Sequence, residues 1–330
     1  MAHPRGACLR GEKLFRIYYI ATRTARERSK GPKLSRLDRS SANARGHSRQ
    51  DSGVYLRPTA LDDALGVLAA GRPAILAGGT DFYPARVGRP LPDDVLDLSA
   101  IAELGGIREE ADDWRIGARV TWTEILAARL PPGFDCLKQA AREVGGVQIQ
   151  NCGTVAGNLC NASPAADGVP PLLALDAAVE LASARGRRRL PLGDFVLDNR
   201  KTACAADELV TAVLVPRRAA GARSVFLKLG ARKYLVISIA MVGAAVELAA
   251  DRTIARAAIA VGACSPVARR LAALERALAG RRLAPGLGAL VTAAHVAPLA
   301  PVSDVRGTAA YRLDAAATLV ARALEHLADE

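Results

Sequence analysis

Apolar positions fall at helical spacing in some short segments and at strand spacing in others, beginning near residue 54. Thr59–Ala70 sets Leu61, Ala64, Leu65 and Leu68 on one face behind a capping-type threonine, which predicts a helix closed by Gly71. Residues 73–77 then read as a short buried strand running into Gly78 and Gly79, with residues 95–98 as a parallel neighbour reached through a proline-rich connection. A second unit starts near Ile107. It holds a strand at residues 114–118, a short helix at 123–130 stopped by Pro131 and Pro132, a helix over 136–144, and buried helix and strand character at 170–176 and 179–182. A strand over 209–215 ends at Pro216. Alternation over 224–230 and 236–248 suits a small sheet packed by helices at 268–278 and 314–327. The boundary between the two halves is expected between Arg217 and Arg223.

The chain has 330 residues, half of them hydrophobic, ample for a buried core in two or three compact units. Its apolar windows are all broken well short of the roughly 20 residues that span a bilayer, so the chain reads as soluble with no transmembrane segment. Charge is uneven. Residues 1–53 carry 13 Lys or Arg against 4 Asp or Glu, an excess of +9 that leaves only +3 of the total +12 to the rest. Such a leader suits RNA, DNA or an acidic membrane surface, or else is a disordered tail or a mis-assigned start; it has no repeated aromatic platform, and no nucleic-acid partner is expected. The arginines at 185 and 187–189 read as a solvated hairpin. Six cysteines, at 8, 136, 152, 160, 204 and 264, form no CxxC pair, and four histidines offer no ligand spacing, so no metal site is expected. Reduced cysteines fit a cytoplasmic setting.

Candidate chemistry concentrates in two glycine-rich turns. In the first, Ile75, Leu76, Ala77, Gly78, Gly79, Thr80, Asp81 and Phe82 place consecutive amides, and a threonine hydroxyl, where a pyrophosphate can be held. Asp81 suits an Asx cap or a ribose contact, since an ionised carboxylate repels phosphate. No lysine follows the glycines, which excludes a simple P-loop. In the second, Gly153 and Gly157 bracket Thr154, Val155 and Ala156, with Asn158, Asn161, Ser163 and Asp167 adding polar reach. Either turn alone is also explained as a self-held structural turn; one ligand explains both together. Lys228 interrupts an apolar strand, where it either faces solvent or meets an anionic phosphate or reduced flavin as counter-charge. Cys152 and Cys160 flank the second turn without a histidine nearby, so no thiol nucleophile is expected.

These motifs, with residues 148–158, 228–232, 261–266 and 301–312, resemble the FAD-binding middle subunit of the molybdenum hydroxylases, the xanthine dehydrogenase and aerobic carbon monoxide dehydrogenase medium-subunit type. The resemblance covers essentially everything from Val54 onward. It implies an α+β fold: a two-subdomain FAD-binding domain of the vanillyl-alcohol oxidase-like (PCMH) type over residues 54–220, divided near 106, then a smaller α+β domain over 221–330. It implies that residues 75–82 and Thr154–Asn158 wrap FAD, that Asp167 bonds near its ribose or diphosphate, that Val144 and Val210 give apolar contacts, and that Lys228 approaches the flavin with residues 232–234 covering the ring. One departure is Ala156, where many relatives have glycine. The leader has no counterpart in the family pattern, so a start near residue 54 is expected.

The resemblance further implies an oxidoreductase heterotrimer, as a dimer of such units. A large subunit carries the molybdenum cofactor, a small one carries [2Fe–2S] clusters, and electrons pass through this chain to NAD+, quinone or oxygen. Two rival readings are a self-contained FAD reductase or oxidase, and a non-catalytic assembly or nucleic-acid-binding protein acting through the leader.

Overall fold

The computed structural model describes residues 53–89 and 94–329, so the leader lies, but for residue 53, outside the described residues. Strand β1 (Tyr55–Leu56), helix α1 (Leu61–Ala70), β2 (Ala74–Leu76) and β3 (Val95–Asp97) make a three-stranded parallel sheet in the order β1-β3-β2. Helix α1 buries Leu61, Ala64, Leu65 and Leu68 as their spacing predicts. Its cap differs from expectation. Ala60, not Thr59, is the extended capping residue, and no side chain caps from that position. The Leu61 N–H instead donates to Glu103 Oε1 at 3.3 Å, a carboxylate from outside the local sequence that also favours the positive helix end.

Next come β4 (Ile107–Glu109), β5 (Asp113–Gly117) and five helices: α2 (Trp122–Ala127), α3 (Asp135–Glu143), α4 (Val147–Cys152), α5 (Val155–Asn161) and α6 (Val169–Ala174). They precede β6 (Ala178–Ser183), β7 (Gly186–Pro191), the single turn α7 (Leu192–Phe195), the small pair β8 (Val196–Asp198) and β9 (Lys201–Thr202), and β10 (Leu209–Pro216). The five-stranded antiparallel sheet runs β4-β5-β10-β6-β7, and its central strand β10 is buried from Leu209 to Val215. Helix α2 begins earlier than its apolar pattern suggests. Thr121 and Glu124 form a capping box, with Thr121 Oγ1 accepting from the Glu124 N–H at 3.2 Å and Glu124 accepting from the Thr121 N–H at 2.7 Å. The arginine-rich hairpin is neutralised by acidic neighbours: Arg185 pairs with Asp207, Arg187 with Glu180, Arg188 with Glu208 and Arg189 with Asp113.

The last sheet is antiparallel, β11 (Arg223–Leu229), β12 (Ala240–Leu248), β13 (Ile254–Gly262) and β14 (Arg269–Arg270) in sequence order, and is accompanied by α8 (Ala272–Leu278), α9 (Ala293–Val296) and α10 (Ala309–Asp329). Helix α10 buries Ala316, Leu319, Val320, Ala323, Leu324 and Leu327 on one stripe. It starts five residues before the expected Asp314, where Thr308 caps it by accepting from the Tyr311 N–H at 3.1 Å, and its buried Arg312 donates to Asp304 at 2.7 Å and to the Ile239 carbonyl at 2.7 Å. Two apolar clusters result, one around β10 and the first two sheets, the other between the last sheet and α10. Polar ties join them. The Ala263 N–H donates to the Pro164 carbonyl at 2.9 Å, and Asp176, just past α6, accepts from Arg218 and Arg270 at 2.8 Å each and from Arg256.

Candidate cofactor site

The first turn leaves β2 with Leu76 buried in the core and Ile75 exposed. Gly79 adopts φ +76°, in the left-handed region that favours glycine. Gly78 is required by proximity: a Cβ there would lie 1.9 Å from the Cys152 carbonyl oxygen, so the first turn rests directly on the backbone of the second. Among the described residues, no carbonyl or side chain accepts from the N–H groups of Gly78, Gly79 or Thr80. Neighbouring donors without a partner among the described residues are the groups with which a backbone turn can hold an anion. The Asp81 backbone carbonyl accepts from the Ala85 N–H at 3.1 Å, and the Asp81 side chain makes no capping bond among the described residues. Phe82 braces the turn between the Tyr83 ring, 5.2 Å away edge-on, and the Arg86 guanidinium at 3.9 Å.

The second turn is more ordered than a loop. Thr154 is the N-cap of α5, its Oγ1 accepting from the Gly157 N–H at 3.0 Å, so Thr154–Asn158 is a capped helix start. Val155 and Ala156 point into the core, where the alanine methyl is accommodated. Asn158 differs from both: its buried Oδ1 accepts from no donor among the described residues. An orphaned buried acceptor calls for a ligand or water to complete it.

Asn158 lines a cavity of about 330 Å³ together with Val144, Ile149, Asp167, Leu235 and Ile237, among others. Helix α4 links this cavity to the first turn, since Ile149 faces the cavity and Cys152 abuts Gly78. At 1.5 Å per residue, the rise from Ile149 to Cys152 is about 4.5 Å, so the cavity and the first turn lie close enough for one ligand to reach both. Val210 is not on the cavity lining; it is buried in β10 beside a register shift. Tyr234 is largely exposed, and the residues after it, Leu235–Ile237, supply the wall. The sequence signal for these missed residues was a short apolar run following two cations, unexplained by either flanking strand.

Lys228 has a counter-charge, and it comes from the protein. Its Nζ donates to Asp167 Oδ2 at 2.7 Å and to the Glu143 carbonyl at 3.2 Å, both groups being buried. Ser238 Oγ donates to Asp167 Oδ1 at 2.6 Å. Both carboxylate oxygens thus accept bonds within the fold. Burial pushes the Asp167 carboxyl above its ordinary range, and the Lys228 ammonium pulls against that. Three thiols are poor nucleophiles: burial raises Cys136 to about 12, and Cys204 and Cys264 to about 11. No cluster of His, Cys, Asp or Glu among the described residues could hold a metal ion.

Unshared amides, an orphaned acceptor and an adjoining cavity fit a dinucleotide with a pyrophosphate. Residues 47–218 match the family model for the FAD binding domain in molybdopterin dehydrogenase, and residues 226–327 that for the CO dehydrogenase flavoprotein C-terminal domain. The chain therefore belongs to the FAD-binding medium subunits of the molybdenum hydroxylases, a family of FAD-dependent oxidoreductase components. It is 40% identical over 202 residues to the nicotinate dehydrogenase FAD-subunit of Eubacterium barkeri, covering 59% of this chain and 68% of that one. It is 30% identical over 273 residues to the nicotine 6-hydroxylase medium subunit of Paenarthrobacter nicotinovorans, covering 82% and 95%. The reconstituted CO dehydrogenase from Oligotropha carboxidovorans is similar in structure, with a TM-score of 0.78 at 28% identity over 84% of this chain and 98% of that one. The cofactor of this chain is FAD.

Proposed function

We propose that the chain is the electron-transfer flavoprotein of a molybdenum hydroxylase complex, receiving electrons from a small [2Fe–2S] subunit and delivering them to NAD+ or another acceptor. A large molybdopterin-binding subunit would oxidise the substrate, in a dimer of heterotrimers. The observation that carries the reading is the juxtaposition of the Gly78–Thr80 amides, which have no partner among the described residues, with the end of a helix that leads into the second turn and whose Ile149 walls a cavity. When bound, FAD supplies the redox chemistry. The chain's own residues bind and orient it: residues 75–82 and Thr154–Asn158 take the diphosphate region, Asn158 Oδ1 accepts from a cofactor donor, and Val144 and Ile149 give apolar contact. Lys228 and Asp167 neutralise one another beside the cavity, so the pair contributes orientation more than net charge. The division into residues 54–220 and 221–330 belongs to this reading, as does a cytoplasmic setting. No described helix is long and apolar enough to cross a membrane.

The test is purification of the full chain, alone and with the products of adjacent genes, followed by visible spectroscopy and mass analysis of released cofactor. Stoichiometric FAD, reduced only when the partner subunits and their substrate are present, is expected. Turnover of an organic substrate by the isolated chain would replace the electron-transfer reading with a self-contained enzyme.

A further inference from the structure

We propose that Ser238 is a positioning residue of the cofactor cavity: its hydroxyl, donated to Asp167, pins the segment after β11 as the cavity's outer wall. The proposal rests on reading this cavity as part of the FAD site.

Between Leu229 and Ala240, the last register pair of β11 and β12, the chain leaves the sheet. The Ile239 N–H donates to the Leu229 carbonyl at 2.8 Å and closes the neck of the excursion. Within it, Leu235 is held at φ +52°, an uncommon conformation for a leucine, with the Arg232 guanidinium donating to its carbonyl at 3.1 Å. Leu235 and Ile237 line the cavity yet remain 59% and 53% exposed, so core burial does not hold this wall. Ser238, 1% exposed, is where the segment re-enters the protein.

The bond it makes is charge-assisted and belongs to a junction. Asp167 Oδ1 accepts from Ser238, Asp167 Oδ2 accepts from Lys228, and Lys228 reaches the carbonyl of Glu143, next to Val144 and the Gly145–Gly146 wall. One carboxylate thereby fixes three walls relative to one another: residues 143–146, the loop ending at Asp167, and residues 235–237. Removal of the hydroxyl leaves the Lys228 pair in place and releases the third wall alone. Asp167 acts through these bonds as a junction, which accounts for both of its oxygens being engaged within the fold.

Exposed Arg232 and Lys233 provide a local reporter, because tryptic cleavage after them becomes faster as the segment opens. The full chain is prepared with FAD as wild type, Ser238→Ala and Ser238→Thr, and three quantities are read: tryptic cleavage after Arg232 or Lys233, the rate of FAD release on dilution, and the global thermal midpoint. Loss of a hydrogen bond to a charged group predicts about tenfold faster cleavage and FAD release in Ser238→Ala, with little change in midpoint. Ser238→Thr, which keeps the hydroxyl, should behave like wild type. A flavin-loaded Ser238→Ala variant that matches wild type in cleavage and release overturns the pin alone. A wild-type chain that retains no flavin overturns the cofactor reading and this inference with it. Amide exchange on wild-type holoprotein is independent of the variants: slow exchange over residues 235–237 supports the pin, and exchange at the rate of an unstructured peptide overturns it.

Discussion

Gly78 and Lys228 carry different risks. At Gly78 the constraint is contact, since an alanine methyl would occupy the space of the Cys152 carbonyl. Gly78→Ala should force the turns apart, costing about 2–3 kcal/mol in urea unfolding and most of the bound flavin. Gly79→Asp adds a strained φ and a negative charge beside the expected diphosphate, and near-normal FAD content in that soluble variant would sink the assignment of the first turn. Lys228→Met would leave Asp167 buried without its cation, at a cost of about 3 kcal/mol near neutral pH. The sign follows from the raised Asp167 carboxyl. Its stabilising contribution is complete below the unfolded value of about 3.9 and is lost as pH rises through the folded value. Lys228→Met raises that value further, so its thermal midpoint should drop below that of wild type more steeply as pH rises above about 4. The need of Lys228 for a counter-charge was legible in Phe226–Gly230; the identity of that charge was not, because Asp167 is sixty-one residues away.

Elements were legible where the pattern is local. The spacing of Leu61, Ala64, Leu65 and Leu68 specifies α1, and Pro216 specifies the end of β10, but caps depend on partners that a pattern does not name. Thr59 looked like a cap and Glu103 does part of that work from across a loop. At α2, where Thr121 and Glu124 form a local box, Thr121→Ala should cost about 1 kcal/mol in thermal or urea unfolding, with flavin content unchanged. In the five-stranded sheet, burial alone would raise the Glu180 carboxyl, but bonds from Arg115 and Thr211 hold it down at about 2. A depressed carboxylate stabilises above its unfolded value and loses that contribution as pH falls. Stability should therefore decline from about pH 4.5 to 2, and Glu180→Gln should flatten part of that decline in a pH series of unfolding midpoints.

At the scale of the molecule, Asp176 gathers arginines from three places: Arg218 after β10, Arg256 in β13 and Arg270 in β14. Asp176→Ala removes the shared acceptor and leaves Arg218 and Arg256 to Glu247 and Arg270 to Glu275, and should cost about 1–3 kcal/mol. Separate unfolding transitions by flavin release and by circular dichroism are the expected signature, because the clasp joins α6 to the last sheet. None of these partners is close to Asp176 in sequence, and no periodicity foretells them. By itself, the sequence determined the order and type of most elements, the two glycine turns and the family, because these depend on residue types within a few positions of each other. The tertiary structure decided that Gly78 meets Cys152, that Val210 is buried in β10, that Leu235–Ile237 supply the cavity's wall, and that Lys228, Asp167 and Ser238 share charge and hydrogen bonds. The physical reason is distance along the chain: packing and electrostatics act through space between residues that local spacing cannot pair.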